Sequence, residues 1–69
     1  MPLTLSKSGE VHAIKKIGGN SKVREHLEAL GFLEGEEVIV LTQLNGNVIV
    51  SLKGTRVAIS EELANKIII

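Results

Sequence analysis

Two histidines, His12 and His26, are the side chains best placed by type to do chemistry near neutral pH. Three glutamates, Glu34, Glu36 and Glu37, gather around Gly35, a grouping that could attract a hard divalent cation. On a helix running from Lys22 to Leu30, His26 shares its face with Lys22 and Leu30. Glu25 is adjacent and Glu28 lies two positions on, so neither carboxylate joins the imidazole there. A metal site would need ligands converging from elsewhere, such as His12 or Glu34. The glutamates around Gly35 read more simply as a solvated turn, and the chain has no Cys to supply a thiolate or a disulfide. The expectation is no resident cofactor, a bound transition metal being unsupported by any ligand set.

Gly18-Gly19-Asn20-Ser21 precedes a helix and superficially suggests a phosphate cradle. It lacks the glycine spacing and the Lys-Ser/Thr pair of a nucleotide loop. Ser6, Ser8, Ser21, Ser51 and Ser60 sit at turns, caps or strands, with no acid and base at a nucleophile's spacing. No catalytic residue emerges, and the expectation is a chain that is not an enzyme.

Composition narrows the function classes further. A chain of 69 residues makes one small domain, 1–69, and a catalytic pocket of some hundreds of Å³ would consume its core. Eight basic residues balance eight acidic ones, which argues against a clamp on nucleic acid. Phe32 is the sole aromatic, so base-stacking platforms and aromatic cages are absent. No apolar run approaches the ~20 residues of a membrane helix. Met1-Pro2-Leu3-Thr4 has neither the basic start nor the apolar centre of a signal peptide, so the expected compartment is the cytoplasm.

The elements that must position these residues follow from periodicity and punctuation. Leu3 to Lys7 reads as a lead-in, and Val11 to Ile17 as a first strand of ambiguous facing, with Val11 and Ala13 on one side and His12, Ile14 and Lys16 on the other. Asn20 or Ser21 caps a helix over Lys22 to Leu30, whose Val23, Leu27 and Leu30 make one apolar stripe. Gly31 closes that helix in left-handed conformation, and Phe32 packs back on Leu27. Val38 to Thr42 and Asn47 to Leu52 form a hairpin, and two registers compete. A two-residue turn at Asn45-Gly46 sets Leu41 opposite Val50, whereas a longer loop over Leu44-Asn45-Gly46 sets Val40 opposite Val50. The second gathers Val38, Val40, Val48, Val50 and Leu52 on one face and is favoured. Arg56 to Ile59 is a further strand, Ser60 caps a single helical turn, and Ile67 to Ile69 is the last strand. The predicted fold is mostly β, a small, partly open barrel of SH3-like or OB-like type, with about five strands and one short inserted helix.

One anomaly carries functional content. With the valine face inward, the other face of the hairpin still presents Ile39, Leu41 and Ile49, where a wet sheet face would alternate to polar residues. Either Leu3-Thr4-Leu5 and the final isoleucines cover that face, or it binds a protein. The candidate partner-binding residues are Ile39, Leu41 and Ile49, with the loop Leu33-Glu34-Gly35 beside them. The same face could serve weak self-association, and an open sheet edge beside it would permit strand pairing.

The run from Leu27 to Val40, Leu-Glu-Ala-Leu-Gly-Phe-Leu-Glu-Gly-Glu-Glu-Val-Ile-Val, resembles the Leu-Gly-x-x-x-Gly-x-x-Val pattern of the FeoA-type domain, an accessory protein of ferrous iron transport. Lys53 to Ile59 resembles that family's Gly-x-x-x-Ala-Leu segment, with Ile59 in place of Leu, and Ala64 and Ile67 resemble its closing Ala-x-x-Ile. At the hairpin tip the chain has Asn45-Gly46-Asn47 where family members often carry Pro. The resemblance spans about Leu5 to Ile69. It implies an SH3-like barrel and a cytoplasmic role beside the FeoB-type ferrous iron transporter, whose cytoplasmic part is a GTPase, with docking there modulating iron uptake. It also implies kinship with the C-terminal SH3-like domains of DtxR-type metal-dependent repressors. Rival expectations are a free-standing transition-metal sensor or carrier using His12, His26 or the glutamates, and a repressor's regulatory domain.

Overall fold

In the computed structural model, which describes residues 1–69, a 3₁₀ turn over Leu3–Leu5 leads into strand β1 (Val11–Ala13) and strand β2 (Lys16–Ile17). Helix α1 (Ser21–Ala29) follows, then β3 (Glu37–Leu44), β4 (Asn47–Leu52), β5 (Thr55–Ser60), the single-turn helix α2 (Glu61–Ala64) and β6 (Ile67–Ile68). One antiparallel sheet runs in the order β1-β3-β4-β5, and β2 pairs antiparallel with β6 in a second. The chain ends close the structure: Pro2 bridges Ile68, the Met1 ammonium donates to the Ile69 carbonyl at 2.6 Å, and the Ile69 N–H donates to the Met1 carbonyl at 2.8 Å.

The helix begins and ends for identifiable reasons. Asn20 is the cap, its Oδ1 accepting the Val23 N–H at 3.0 Å, so the choice between Asn20 and Ser21 falls to Asn20. At the other end the Phe32 N–H reaches the Leu27 carbonyl and the Gly31 N–H reaches the Glu28 carbonyl, with Gly31 at φ +104°. This is a Schellman closure, and it turns Phe32 inward to full burial. Leu30, read from the sequence as part of the buried stripe, is left 39% exposed, and Phe32, beyond the helix end, is buried in full.

Both sequence readings of the hairpin turn out to be half right. Asn45 (φ 52°) and Gly46 (φ 79°) make the two-residue turn, with Leu44 paired to Asn47. Val40 nevertheless pairs with Val50, because the register shifts between Val40 and Thr42 and Leu41 is left as an extra residue, a β-bulge. The longer loop is not formed. The bulge does its work within the strand, keeping Val38, Val40, Val48, Val50 and Leu52 all inward and buried.

The strand read over Val11–Ile17 is two strands. After Ala13 the chain turns Ile14 into the interior, its N–H donating to the Glu36 carbonyl, and the next N–H, that of Lys15, donates to the Ile68 carbonyl. The segment thus passes from one sheet to the other. A core of 14 apolar residues results, drawn from every part of the chain, with Leu3, Ile67 and Ile69 contributed by its two ends. Each large side chain fully withdrawn from water stabilises the fold by about 1.5–3 kcal/mol.

Candidate functional site

Alternation along the strands sends a second set of side chains outward. Val11, Ile39, Ser51 and Arg56 lie opposite one another across all four strands of the larger sheet, and Thr42, Ile49 and Ala58 make the next row. Leu41 stands between the rows on the bulge. Val11 is 54% and Leu41 37% exposed, Ala58 is exposed, and Ile39 and Ile49 are half-buried. The chain ends do not cover this surface: Leu3, Ile67 and Ile69 point into the core, and Leu5 points to solvent. Exposed apolar side chains on neighbouring strands form a patch of the kind that marks a contact surface.

At the end of the patch nearest the α1–β3 loop the surface dips into a shallow, open depression lined by Val11, Ile39, Gly35 and Ser51, with Glu36, Glu37, Lys53 and Gly54 at its rim. Lys53 Nζ lies 3.5 Å from Glu36 Oε1, an exposed pair that contributes little to stability. Of the six residues singled out from the sequence, Ile39 and Gly35 meet in this depression, and Ile49 and Leu41 extend from it along the sheet. Leu33 is exposed in the loop at 39%. Glu34 belongs to a different groove, where Lys15, Lys16 and Arg24 gather beside Gly18 and Gly19. Sequence reasoning did not select Val11 or Ala58. Val11 carried a signal, being out of phase with the buried Ile14, but its facing could not be fixed until the break after Ala13 was known.

Groups able to make or break bonds do not converge. His26 is exposed near the end of α1, and His12 lies on β1. His12 Nε2 is withdrawn from solvent without a hydrogen-bond partner, and Glu10 Oε1 lies 3.4 Å away, not aligned for a hydrogen bond. No group of three or more His, Cys, Asp or Glu side chains lies together. Ser60 Oγ accepts the Leu63 N–H as the cap of α2, and Ser6 Oγ donates to the Lys7 carbonyl. No helix is long and apolar enough to cross a membrane. The arrangement offers recognition through an apolar sheet face with a polar rim.

Comparison with known proteins agrees with this reading of the architecture. A Methanocaldococcus jannaschii protein assigned as Fe(2+) transport protein A is 37% identical over 68 residues, covering 99% of this chain and 83% of its own. The crystal structure of an iron uptake regulatory protein, FeoA, superposes with a TM-score of 0.87 at 30% identity, over 96% of this chain and 88% of that one. Stenotrophomonas maltophilia FeoA, crystallised with zinc, is described as a procaryotic SH3 domain protein, and a role as a ferrous iron transport activating factor has been suggested for it. It superposes with a TM-score of 0.84 at 22% identity, over 99% and 87% of the two chains. A manganese-dependent transcriptional repressor shares the fold over 97% of this chain but 39% of its own, with a TM-score of 0.88 at 16% identity. The fold is thus SH3-like and mostly β, and it recurs within a metal-dependent repressor. With the FeoA domain matching residues 1–69 throughout, the chain belongs to the FeoA family, which is associated with ferrous iron transport.

Proposed function

We propose that this chain is a cytoplasmic, non-enzymatic adaptor that docks on the GTPase-containing region of an FeoB-type ferrous iron transporter and modulates iron uptake. The observation that carries the reading is the uncovered apolar face of the larger sheet, where Val11 and Leu41 are exposed and Ile39 and Ile49 half-buried. The loop Leu33-Glu34-Gly35 flanks it, and Glu36, Glu37 and Lys53 supply a polar rim, the usual anatomy of a protein–protein contact. A free-standing metal carrier would need His12, His26 and the glutamates to converge, and nothing in their placement favours that.

The test is amide exchange of the purified protein with and without the transporter's soluble domain. The expected result is slowed exchange at Leu41 and in the 33–35 loop. Ile49→Lys should abolish that protection while lowering stability by about 1 kcal/mol, as suits a half-buried side chain. No protection anywhere on the chain, with both proteins well above micromolar concentration, would overturn the proposal.

A further inference from the structure

The larger sheet has two edges of different character. β1 is three residues long, whereas β5 is six residues, paired without a break from Thr55 to Ser60 against β4 and free of Pro. The sheet ends at β5, so no strand lies on its far side. Lys53 (φ 54°) and Gly54 (φ 77°) form a two-residue turn, which makes Leu52 and Thr55 a hydrogen-bonded pair and fixes the alternation beyond it. Val57 and Ile59 therefore direct their backbone groups to β4, while Arg56 and Ala58 direct theirs to the open edge. Both residues are exposed. Among the usual protections of an edge strand, β5 carries only the charge of Arg56.

We propose that β5 is a self-pairing edge: two copies of this chain join antiparallel through it, with Ala58 facing Ala58 of the second copy across a two-fold axis. Charge disfavours the registers centred on Arg56 and Val57, and Ala58 is the next residue whose backbone groups face the open edge. Arg56 facing its counterpart directly, or lying diagonal to it in the register centred on Val57, would place like charges within about 8 Å on one face. Centring on Ala58 separates the two guanidinium groups by four residues, on the order of 14 Å along the strands. It also sets Arg56 opposite Ser60 of the second copy, beside Glu61 and Glu62 in the first turn of that copy's α2. None of Arg56, Glu61 and Glu62 takes part in an ion pair within its own chain. Each copy thus brings an unpaired cation to the other's unpaired acids.

The apolar rows point to the same occupant. Ile49 and Ala58 are opposite neighbours on the outer face. Pairing at Ala58 extends that row across the axis, so that Ile49 and Ala58 of both copies form one stripe, and the small Ala58 side chain leaves the junction free of steric conflict. A single strand pair buries less than the roughly 1,200 Å² of a stable interface, so the association is weak and transient. The pairing is independent of docking on a transporter.

The experiment is sedimentation equilibrium with amide exchange, from about 50 µM to about 2 mM, a range that brackets a contact this small. The expected result is a monomer–dimer equilibrium in which the Arg56 and Ala58 amides gain protection as concentration rises. Ala58→Pro should abolish dimers, because it removes the central N–H, and an edge position with its N–H toward solvent tolerates Pro in the monomer. Arg56→Glu, folded as judged by its denaturation curve, should associate about tenfold more weakly, because it turns two attractive contacts repulsive. A monomer at every concentration with both amides unprotected overturns the proposal, as does a dimer whose protection lies on β1 or the 33–35 loop. Protection of Arg56 and Ala58 solely when the transporter's soluble domain is added would give the edge to a foreign strand. That outcome overturns self-pairing while leaving docking standing.

Discussion

Replacing Gly31 with Ala tests the junction that places both the core Phe32 and the flanking loop. Gly31 sits at φ +104°, and a Cβ built on it would lie 3.2 Å from Leu52 Cδ2, a side chain only 2% exposed. Two penalties combine. Left-handed backbone at a residue with a Cβ costs about 1–2 kcal/mol. Forcing a core leucine aside costs about 1–2 kcal/mol more. Gly35 supplies the control, because it has φ +88° with no atom within 4 Å of its Cβ position, so Gly35→Ala should incur the backbone penalty alone. The gain from restricting the unfolded chain, about 0.4–1 kcal/mol, is common to both and cancels in the difference. Urea denaturation, where that gain still counts against the parent, should place Gly31→Ala about 1–3.5 kcal/mol below it and roughly 1–2 kcal/mol below Gly35→Ala. For a domain of this size each kcal/mol corresponds to about 4–8 °C in Tm. Leu52→Val removes the δ-methyl groups, and in that background the gap between the two glycine variants should shrink toward zero. Equal costs for the two variants, or a gap that persists without the Leu52 methyls, would refute the packing argument.

Deleting Leu41 should be tolerated far better than deleting Ile49 from the unbulged partner strand, because the pairs Val40–Val50 and Thr42–Ile49 become consecutive once the bulge residue is gone. The expected cost is below about 1.5 kcal/mol with an unchanged denaturant slope, whereas deleting Ile49 makes Val48 and Val50 adjacent, so that both can no longer face the core, and should cost more. Asn20→Ala should cost about 1 kcal/mol through loss of the Val23 cap, read by thermal unfolding, and Asn20→Ser should recover most of it.

Most of the fold was legible because its signals are local. Asn20 before the helix, Gly31 after it, Asn45-Gly46 between β-branched runs and Ser60 before Glu61 each act within a few residues, and each element stands where they put it. The failures share a different cause. Nothing near Leu41 announces a bulge; it follows from demanding a two-residue turn and an all-valine interior at once, a demand made by packing across strands. The break between β1 and β2 carries no Gly or Pro, since it arises from Lys15 and Ile68 meeting across the closure of the chain ends. Leu30 looked buried because helical phase says so, yet it lies at the helix end and is exposed, while Phe32 outside the helix is buried. The apolar face was legible as a surplus of Ile39, Leu41 and Ile49, but its extension to Val11 and Ala58 depended on strand pairings that periodicity alone does not set.

Those outward residues do not all speak equally for function. Ile39 and Ile49 are β-branched, sit in the middle of paired strands and are half-buried by their neighbours, so strand formation alone gives reason for their identity. Leu41 and Val11 are different. Leu41 occupies the bulge, where the ladder is interrupted and no cross-strand partner shields it, and Val11 opens a three-residue edge strand at 54% exposure. Polar residues at either position would disturb no pairing and would spare the surface its apolar area. The local rules that explain the rest of the sheet leave these two unexplained, and they lie on the same face as Ile39 and Ile49. The proposed docking contact would account for their chemistry, and it makes Leu41 and Val11, more than the isoleucines between them, the positions where loss of docking and loss of stability should separate.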